Sequence, residues 1–224
     1  KFDEKLISST VKKYHPFDFK KTNIDKFLDS LNIDRTVGIS SIEGGYKKAS
    51  NQFDNFLRDG FSDYAQFSND PSKNASSKMS PYFHYGHIST HEIFEKLVKH
   101  ESWSPEQIKP NLVGRREGWW GGSLNFDSFL DELITWRELG YHTCVRRANY
   151  NQYSSLPEWA VKTLQEHATD EREHVYSLDQ LTYSETHDEV WNAAQNQLRE
   201  QGIIQNYLRM LWGKKILEWS PNPQ

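Results

Sequence analysis

Apolar residues recur every three to four positions along much of this chain, which is the spacing of an amphipathic helix. Between Tyr46 and Arg58, for example, Ala49, Phe53, Phe56 and Leu57 are apolar at spacings of three and four. The other segments that we predict to be helical are 24–31, 90–100, 126–142, 157–167, 190–201 and 203–219. No run alternates convincingly between apolar and polar residues, and no internal repeat occurs, so the pattern predicts an all-α fold.

Polar stretches separate these segments and indicate loops. One loop covers residues 59–78 and contains Pro71 among several serines, and another covers 101–124 and ends in Trp119-Trp120-Gly121-Gly122. Residues 1–22 are irregular and polar, which predicts an extended connector. We therefore expect one helical domain over residues 23–224.

The composition limits the classes of partner. The chain has 224 residues, 14% aromatic residues and a formal net charge of −4, and its mean hydropathy is −0.85. An acidic chain of this kind is not a generally basic nucleic-acid binder. Any contact with nucleic acid must come from local cationic pairs, for which Arg115–Arg116, Arg146–Arg147 and Lys214–Lys215 are the candidates.

The single cysteine, Cys144, excludes an intramolecular disulfide and fits a reducing compartment, so we expect a cytoplasmic protein. No apolar run approaches the length of about 18 residues that a membrane-spanning helix needs. The histidines do not form an HExxH motif or accompany a cysteine pair, and we predict no metal site. Those considered are His84, His87, His91 and His174.

Two tryptophans near the C-terminus, Trp212 and Trp219, are seven residues apart in a predicted helix. Seven residues make about two turns, so both indoles lie on one face, roughly 10 Å apart. A core helix with two large apolar anchors would show the same spacing. The spacing alone therefore leaves core packing and a further role open.

The tract Ser76-Ser77-Lys78-Met79-Ser80 precedes a predicted helix. Its hydroxyl groups and backbone amides are the donors that hold phosphate oxygens in many proteins. Most serine-rich loops have no such role, so this motif is a weak signal by itself.

Glu132 and Trp136 are four residues apart on a predicted helix, so a carboxylate and an indole can line one pocket. Arg137 follows directly and can reach a phosphate or pair with Glu138. The alternative interpretation is a surface ion pair beside a core tryptophan.

Four blocks of sequence occur in a fixed order between residues 40 and 219: GGYKKASNQFDNFLRDGFSDY, SSKMSPYFHYGHIST, FLDELITWRE and WNAAQNQLREQGIIQNYLRMLWGKKILEW. Together they resemble the flavin-binding helical domain of the photolyase/cryptochrome family. The phrases LWGKKILEW and THDEVWNAAQ look most like class II cyclobutane-dimer photolyases. QNYLRM is more similar to the class I pattern HNRLRM, so the subclass stays open.

The resemblance implies FAD as cofactor and a role for individual residues. Those that match FAD-contacting positions are Tyr64, Ser76, Ser77, Lys78, Met79, Ser80, Arg137 and Arg209. Ser76 and Lys78 depart from the family pattern TSRLS, which has Thr and Arg there. Those that match positions at the lesion are Glu132, Trp136, Met210 and Asn206, although many class II sequences differ at Asn206. The implied path of electron transfer runs outward from Trp212 through Trp191 to Trp219.

The function that the resemblance implies is light-driven splitting of cyclobutane pyrimidine dimers by electron transfer from reduced FAD. The partner would be damaged DNA with the dimer flipped out of the duplex, bound by a monomer. Alternatives are a cryptochrome-like blue-light photoreceptor or flavin-binding module, and a degenerate nucleic-acid-binding helical domain without a cofactor. In the family an α/β domain precedes this region and a flavin-facing segment follows it, so we expect an incomplete domain that binds FAD weakly or not at all.

Overall fold

The structure is a computed structural model, and it describes residues 22–33, 37–73, 75–115 and 117–223. Within these ranges every regular element is helical and no β-strand occurs, so the all-α prediction is confirmed. The chain divides into two units, residues 1–38 and residues 39–224. The predicted connector lies outside the described residues except for Thr22, as do Arg116 and the last residue.

The first unit contains one described helix, α1 (Ile24–Asp29), whose first turn is capped by the side chain of Asn23. The helices of the second unit are α2 (Tyr46–Asp59), α3 (Tyr64–Phe67), α4 (Ser80–His84), α5 (Thr90–Glu101), α6 (Leu124–Leu130), α7 (Arg137–Arg146), α8 (Glu158–Glu166), α9 (Leu178–Thr182), α10 (Glu189–Gln201) and α11 (Asn206–Trp219). No helix in the described part of the chain is both long and apolar enough to cross a membrane.

Short polar side chains set several of the helix starts. Ser89, Ser123 and Asp188 each accept a hydrogen bond from a backbone N–H three residues later, over 2.9–3.1 Å. Such caps satisfy N–H groups that have no partner inside the helix. They explain why α5, α6 and α10 begin within two residues of the predicted positions.

Several predicted boundaries are wrong. The loop predicted over residues 59–78 contains the short helix α3, and the helix predicted to end at residue 142 continues to Arg146. The segment predicted as helical over residues 126–142 is interrupted by a π-helical stretch, Asp131–Trp136, which joins α6 to α7. The last helix begins at Asn206 instead of Ile203, because the side chain of Gln205 caps it. The Oε1 atom of Gln205 accepts from the backbone N–H groups of Tyr207 and Leu208, at 2.7 and 3.1 Å.

Phenylalanines form the main apolar core, which lies between α2, α5 and α6. Phe53 and Phe126 are fully buried, and the ring of Phe129 lies 5.8 Å from that of Phe53 and 5.6 Å from that of Phe56. Burial of each such side chain contributes about 1.5–3 kcal/mol. A second, smaller cluster consists of Leu181, Trp191 and Trp219, with Tyr176, Trp212 and Ile216 packed against it. We call it the indole cluster.

Candidate functional site

Three tryptophans lie in a row at the centre of the indole cluster. The rings of Trp212 and Trp191 are stacked, with centroids 6.2 Å apart and an angle of 8° between their planes. The ring of Trp219 meets that of Trp191 edge-on at 5.7 Å. The order in space is therefore Trp212, Trp191, Trp219, and Trp191 contacts both of the others.

The helices α10 and α11 hold these indoles away from water. Trp191 and Trp219 are 5% and 3% exposed, and Trp212 is half-buried. The Nε1 of Trp191 donates to the backbone carbonyl of Trp212 at 3.2 Å. The Nε1 of Trp212 donates to Oε1 of Gln195 at 2.9 Å. Hydrogen bonds and packing thus fix the orientation of the first two rings.

Two residues that the sequence analysis did not single out, Tyr176 and His187, contact Trp219. The ring of Tyr176 meets Trp219 edge-on at 5.7 Å, and its hydroxyl group lies 2.7 Å from Nδ1 of His187. His187 also stacks on His174, at 3.7 Å between the ring centroids. The row of indoles therefore ends against a phenol that is hydrogen-bonded to an imidazole.

The serine tract forms the turn that leads into α4. Lys78 has a φ of +56°, which turns the backbone sharply just before the helix. The carbonyl of Ser77 accepts a hydrogen bond from Nε2 of Gln52 at 3.0 Å, which ties the turn to α2. Met79 is 1% exposed and anchors the turn in the main core, while Lys78 is exposed. Hydroxyl groups beside an exposed cation are donors suited to an anionic diphosphate.

Tyr64 begins α3 and packs against the phenylalanine core. Its ring meets Phe129 at 5.2 Å and Phe56 at 5.7 Å, both in edge-to-face geometry. The side chain is half-buried, so part of its surface faces outward from the core.

Trp136, at the end of the π-helical stretch, is 60% exposed. Its Nε1 donates to the carboxylate of the buried Asp131 over 3.0 Å, and these two side chains are the first and last of the π-helical stretch. Glu132 is also exposed. Arg137 donates to Glu138 over 2.6 Å and lies over the ring of Tyr141. The shared pocket wall of Glu132 and Trp136 stays a prediction.

The start of α11 is tied to the loop after α3. Gln205 donates to the carbonyl of Ser68 at 3.2 Å, and Nδ2 of Asn206 donates to Oδ1 of Asn69 at 2.9 Å. Arg209 donates to Oδ1 of Asn206 at 2.8 Å, so both ends of that amide have protein partners. Met210, one turn after Asn206, is 44% exposed.

An open pocket of about 560 Å³ lies at the Trp219 end of the indole row. Its lining includes Trp219, His174, His187, Arg172 and Lys214, and charges of both signs surround it. The residues predicted to hold FAD or the lesion do not line it. The pocket therefore lies at the outer end of the predicted electron path.

Asp127 is a further residue that the sequence analysis did not single out. It is 2% exposed, and its carboxylate accepts hydrogen bonds from the backbone N–H groups of Gly118 and Gly122, at 2.5 and 3.2 Å. Burial raises the pKa of this carboxyl, and those two N–H groups partly oppose the increase. Asp127 thus holds the loop that carries Trp119 and Trp120, whose rings stack at 5.1 Å.

The histidines considered as metal ligands have other surroundings. The Nδ1 atom of His87 accepts from the backbone N–H of Gly45 at 3.1 Å, and the ring of His84 lies 4.7 Å from that of Tyr85. Among the residues that the structure describes, no group of three or more His, Cys, Asp or Glu side chains is placed to hold a metal ion.

Comparison with known proteins identifies relatives of one kind, although no protein-family model matches the chain. A deoxyribodipyrimidine photo-lyase of Methanothermobacter thermautotrophicus is 39% identical over 184 residues, which are 82% of this chain and 36% of that protein. The photo-lyase of Oryza sativa subsp. japonica is 38% identical over 172 residues, 76% of this chain and 30% of the relative. The photo-lyase of Potorous tridactylus is 33% identical over 195 residues, which are 87% of this chain and 33% of that protein.

The chain spans about a third of the length of these relatives. Their similarity nevertheless extends over most of the chain, and the relationship agrees with the all-α architecture. The class II subtype stays a prediction. The chain belongs to the photolyase family.

Proposed function

We propose that this chain is the flavin- and lesion-facing part of a light-driven DNA repair lyase that splits cyclobutane pyrimidine dimers. The observation that carries the proposal is the row Trp212, Trp191, Trp219, with ring centroids 6.2 and 5.7 Å apart. Electron tunnelling falls steeply with distance, so rings in contact pass an electron far faster than rings separated by another side chain. Such a row would carry an electron from the side of the open pocket at Trp219 to an acceptor bound next to Trp212.

FAD is the cofactor that this chain would hold. The turn at Ser76–Ser80 would supply hydroxyl and amide donors to the diphosphate, and Lys78 would supply a positive charge. Tyr64 offers a half-buried ring on the same unit. Bound there, FAD would supply the chemistry of light-driven one-electron donation to the dimer.

Glu132 and Trp136 would contact the flipped dimer. Both side chains are exposed on consecutive turns of one helical segment, with the indole anchored at Asp131. An exposed indole offers a stacking surface to a pyrimidine. A carboxyl group beside it would stabilise the dimer by hydrogen bonding as negative charge develops on it.

Local cationic groups would bind the DNA phosphates, because the chain as a whole has a negative net charge. Arg115, Arg146 and Arg147 are exposed. Binding through such groups weakens as salt concentration rises. A photoreceptor role is the second candidate, but the relatives carry the name of a repair enzyme, and a receptor needs no lesion contacts.

Repair of a thymine-dimer oligonucleotide under blue light tests the proposal. The chain is supplied with reduced FAD, and FAD occupancy is measured by absorbance. In a second arm the chain replaces the matching part of the Methanothermobacter relative, because it spans about a third of that protein.

The Glu132→Ala variant is expected to retain FAD and lose most of the repair rate. Glu166→Ala is the matched control, because Glu166 is exposed and pairs with Lys162, and neither residue is predicted to contact FAD or the lesion. A flavin-loaded protein that repairs no dimers would contradict the proposal, and unchanged repair in Glu132→Ala would contradict the role of that residue.

A further inference from the structure

Gln195 is a buried polar side chain inside the indole cluster. It lies on α10, one turn after Trp191, and is 8% exposed. Its Nε2 donates to the backbone carbonyl of Thr182 at 3.1 Å, and its Oε1 accepts from Nε1 of Trp212 at 2.9 Å. The Thr182 carbonyl can only accept, so it holds the amide nitrogen on its own side and turns the amide oxygen toward Trp212.

We propose that Gln195 is a positioning residue that keeps Trp212 protonated at Nε1 when this indole loses an electron. The inference rests on the proposed function, in which Trp212 is the first donor of the row. An oxidised indole carries a positive charge, and its N–H becomes a much stronger acid and a stronger hydrogen-bond donor. A carboxamide oxygen accepts that hydrogen bond but is too weak a base to take the proton.

The step needs one reactant from outside the chain, which in the proposed function is a photoexcited oxidant of the flavin class. One electron would leave the Trp212 ring for this oxidant, which would be reduced by one electron. The proton stays on Nε1, and the bond to Gln195 changes from a neutral hydrogen bond to a charge-assisted one. Trp191 has the same kind of environment, because its Nε1 donates to a backbone carbonyl. The hole can therefore pass between the two rings without moving a proton.

Loss of this acceptor makes Trp212 harder to oxidise. Charge-assisted hydrogen bonds contribute more than neutral ones, and that difference predicts a decrease of about fivefold in the yield of oxidised Trp212. Gln195→Met removes the acceptor and keeps most of the volume. Gln201→Met is the matched control, because Gln201 is exposed and ends the same helix.

The first measurement is hydrogen exchange of the Trp212 indole N–H by NMR in the chain without cofactor, with the resonance assigned through Trp212→Phe. Exchange is expected to be slow in the unaltered chain and in Gln201→Met, and severalfold faster in Gln195→Met. Equal exchange in all three proteins would overturn the proposal.

The second measurement detects the protonation state of oxidised Trp212 by transient absorption. A photo-oxidant is attached through Arg209→Cys, one turn from Trp212, in a Cys144→Ser and Trp191→Phe background that confines the hole. The radical cation is expected with Gln195, and at a reduced yield with Gln195→Met. With Gln195→Glu the carboxylate takes the proton, so the neutral radical is expected, with a pH dependence absent from the parent protein.

A neutral radical in the parent protein, or identical spectra and yields in all variants, would overturn the proposal. Helical circular dichroism checks that each variant folds. If Gln195→Glu does not fold, the yield of oxidised Trp212 in Gln195→Met decides the outcome. Neither measurement needs FAD or DNA. A chain that fails to repair dimers but shows the expected radicals would therefore disprove the proposed function and leave the role of Gln195 standing.

Discussion

Trp191 connects the row of indoles, because both ring contacts of the row include its side chain. It lies on α10, whereas the other two tryptophans lie on α11. Its hydrogen bond to the carbonyl of Trp212 joins the two helices at the same point. A change at this residue is therefore the most direct way to interrupt the proposed electron path.

Trp191→Phe is expected to slow light-driven reduction of bound FAD to a small fraction of its original rate, because the middle redox-active ring is replaced by one that is much harder to oxidise. Repair by chemically reduced FAD should persist. The measurement is the loss of oxidised-flavin absorbance under blue light with an external thiol. Trp159→Phe, at a site that is 74% exposed, is the control. Equal rates in both variants would exclude the row as the path.

Asp127 introduces a pH dependence of stability. Its ordinary pKa is about 3.9, and burial raises the pKa in the folded protein, with Lys109 and Glu117 nearby acting in opposite directions. The folded state therefore holds this proton more tightly than the unfolded state. As pH rises above about 4, the free energy of unfolding should fall relative to that of Asp127→Asn, until the folded carboxyl is ionised. Urea unfolding at a series of pH values measures the difference, and a constant difference would contradict the prediction.

At the scale of elements, the segments that connect one helix to the next set the positions of several candidate site residues. The π-helical stretch brings the indole of Trp136 to Asp131, five residues away, where an α-helix would pair residues three or four apart. The side chain of Gln205 caps the first turn of α11 and also donates to the carbonyl of Ser68, so the start of α11 is fixed against the loop after α3. Asn206, Arg209 and Met210 therefore depend on this cap for their positions.

Gln205→Ala is expected to lower the free energy of unfolding by about 1 kcal/mol, because two backbone N–H groups lose their acceptor. The link to Ser68 is lost in the same variant. Thermal and urea unfolding measure the change. Gln201→Ala, at an exposed position, serves as the comparison and should change stability little. A similar loss in both variants would show that the cap has no specific effect.

At the scale of the second unit, two apolar clusters have different roles. The main apolar core joins α2, α5 and α6 and packs against Tyr64. The indole cluster joins α9, α10 and α11. Each cluster buries large rings that a single helix could not cover. Stability and the proposed electron path therefore rest mainly on different residues.

Phe53→Ala is expected to lower the free energy of unfolding by about 3–5 kcal/mol, because a fully buried ring leaves a cavity. Leu139→Ala, at a position that is 51% exposed, should have a much smaller effect. Denaturant unfolding followed by circular dichroism measures both. Comparable losses in the two variants would show that the core does not lie where the structure places it.

The periodic pattern predicted the helices well where short caps or glycines mark their ends, as at Ser89 and Gly202. It failed at Gln205 and at the π-helical stretch, because neither has a strong local signature. Gln195 carried a signal that was missed: it shares one buried stripe with Trp191 and Ala194, and a polar residue in such a stripe needs a partner. Asp127 follows Gly118 and Gly122, whose backbone N–H groups donate to its carboxylate.

The sequence by itself determined the helical class, the family and the common face of Trp212 and Trp219, because these depend on local spacing and on ordered motifs. Only the tertiary structure decided how the ring of Trp191 contacts both of them, that Gln195 accepts a hydrogen bond from Trp212 and that Asp127 is buried and bonded to backbone amides. Those contacts join residues of different helices or of a helix and a loop, and a periodic pattern shows which face of a helix is buried but not which partner covers it.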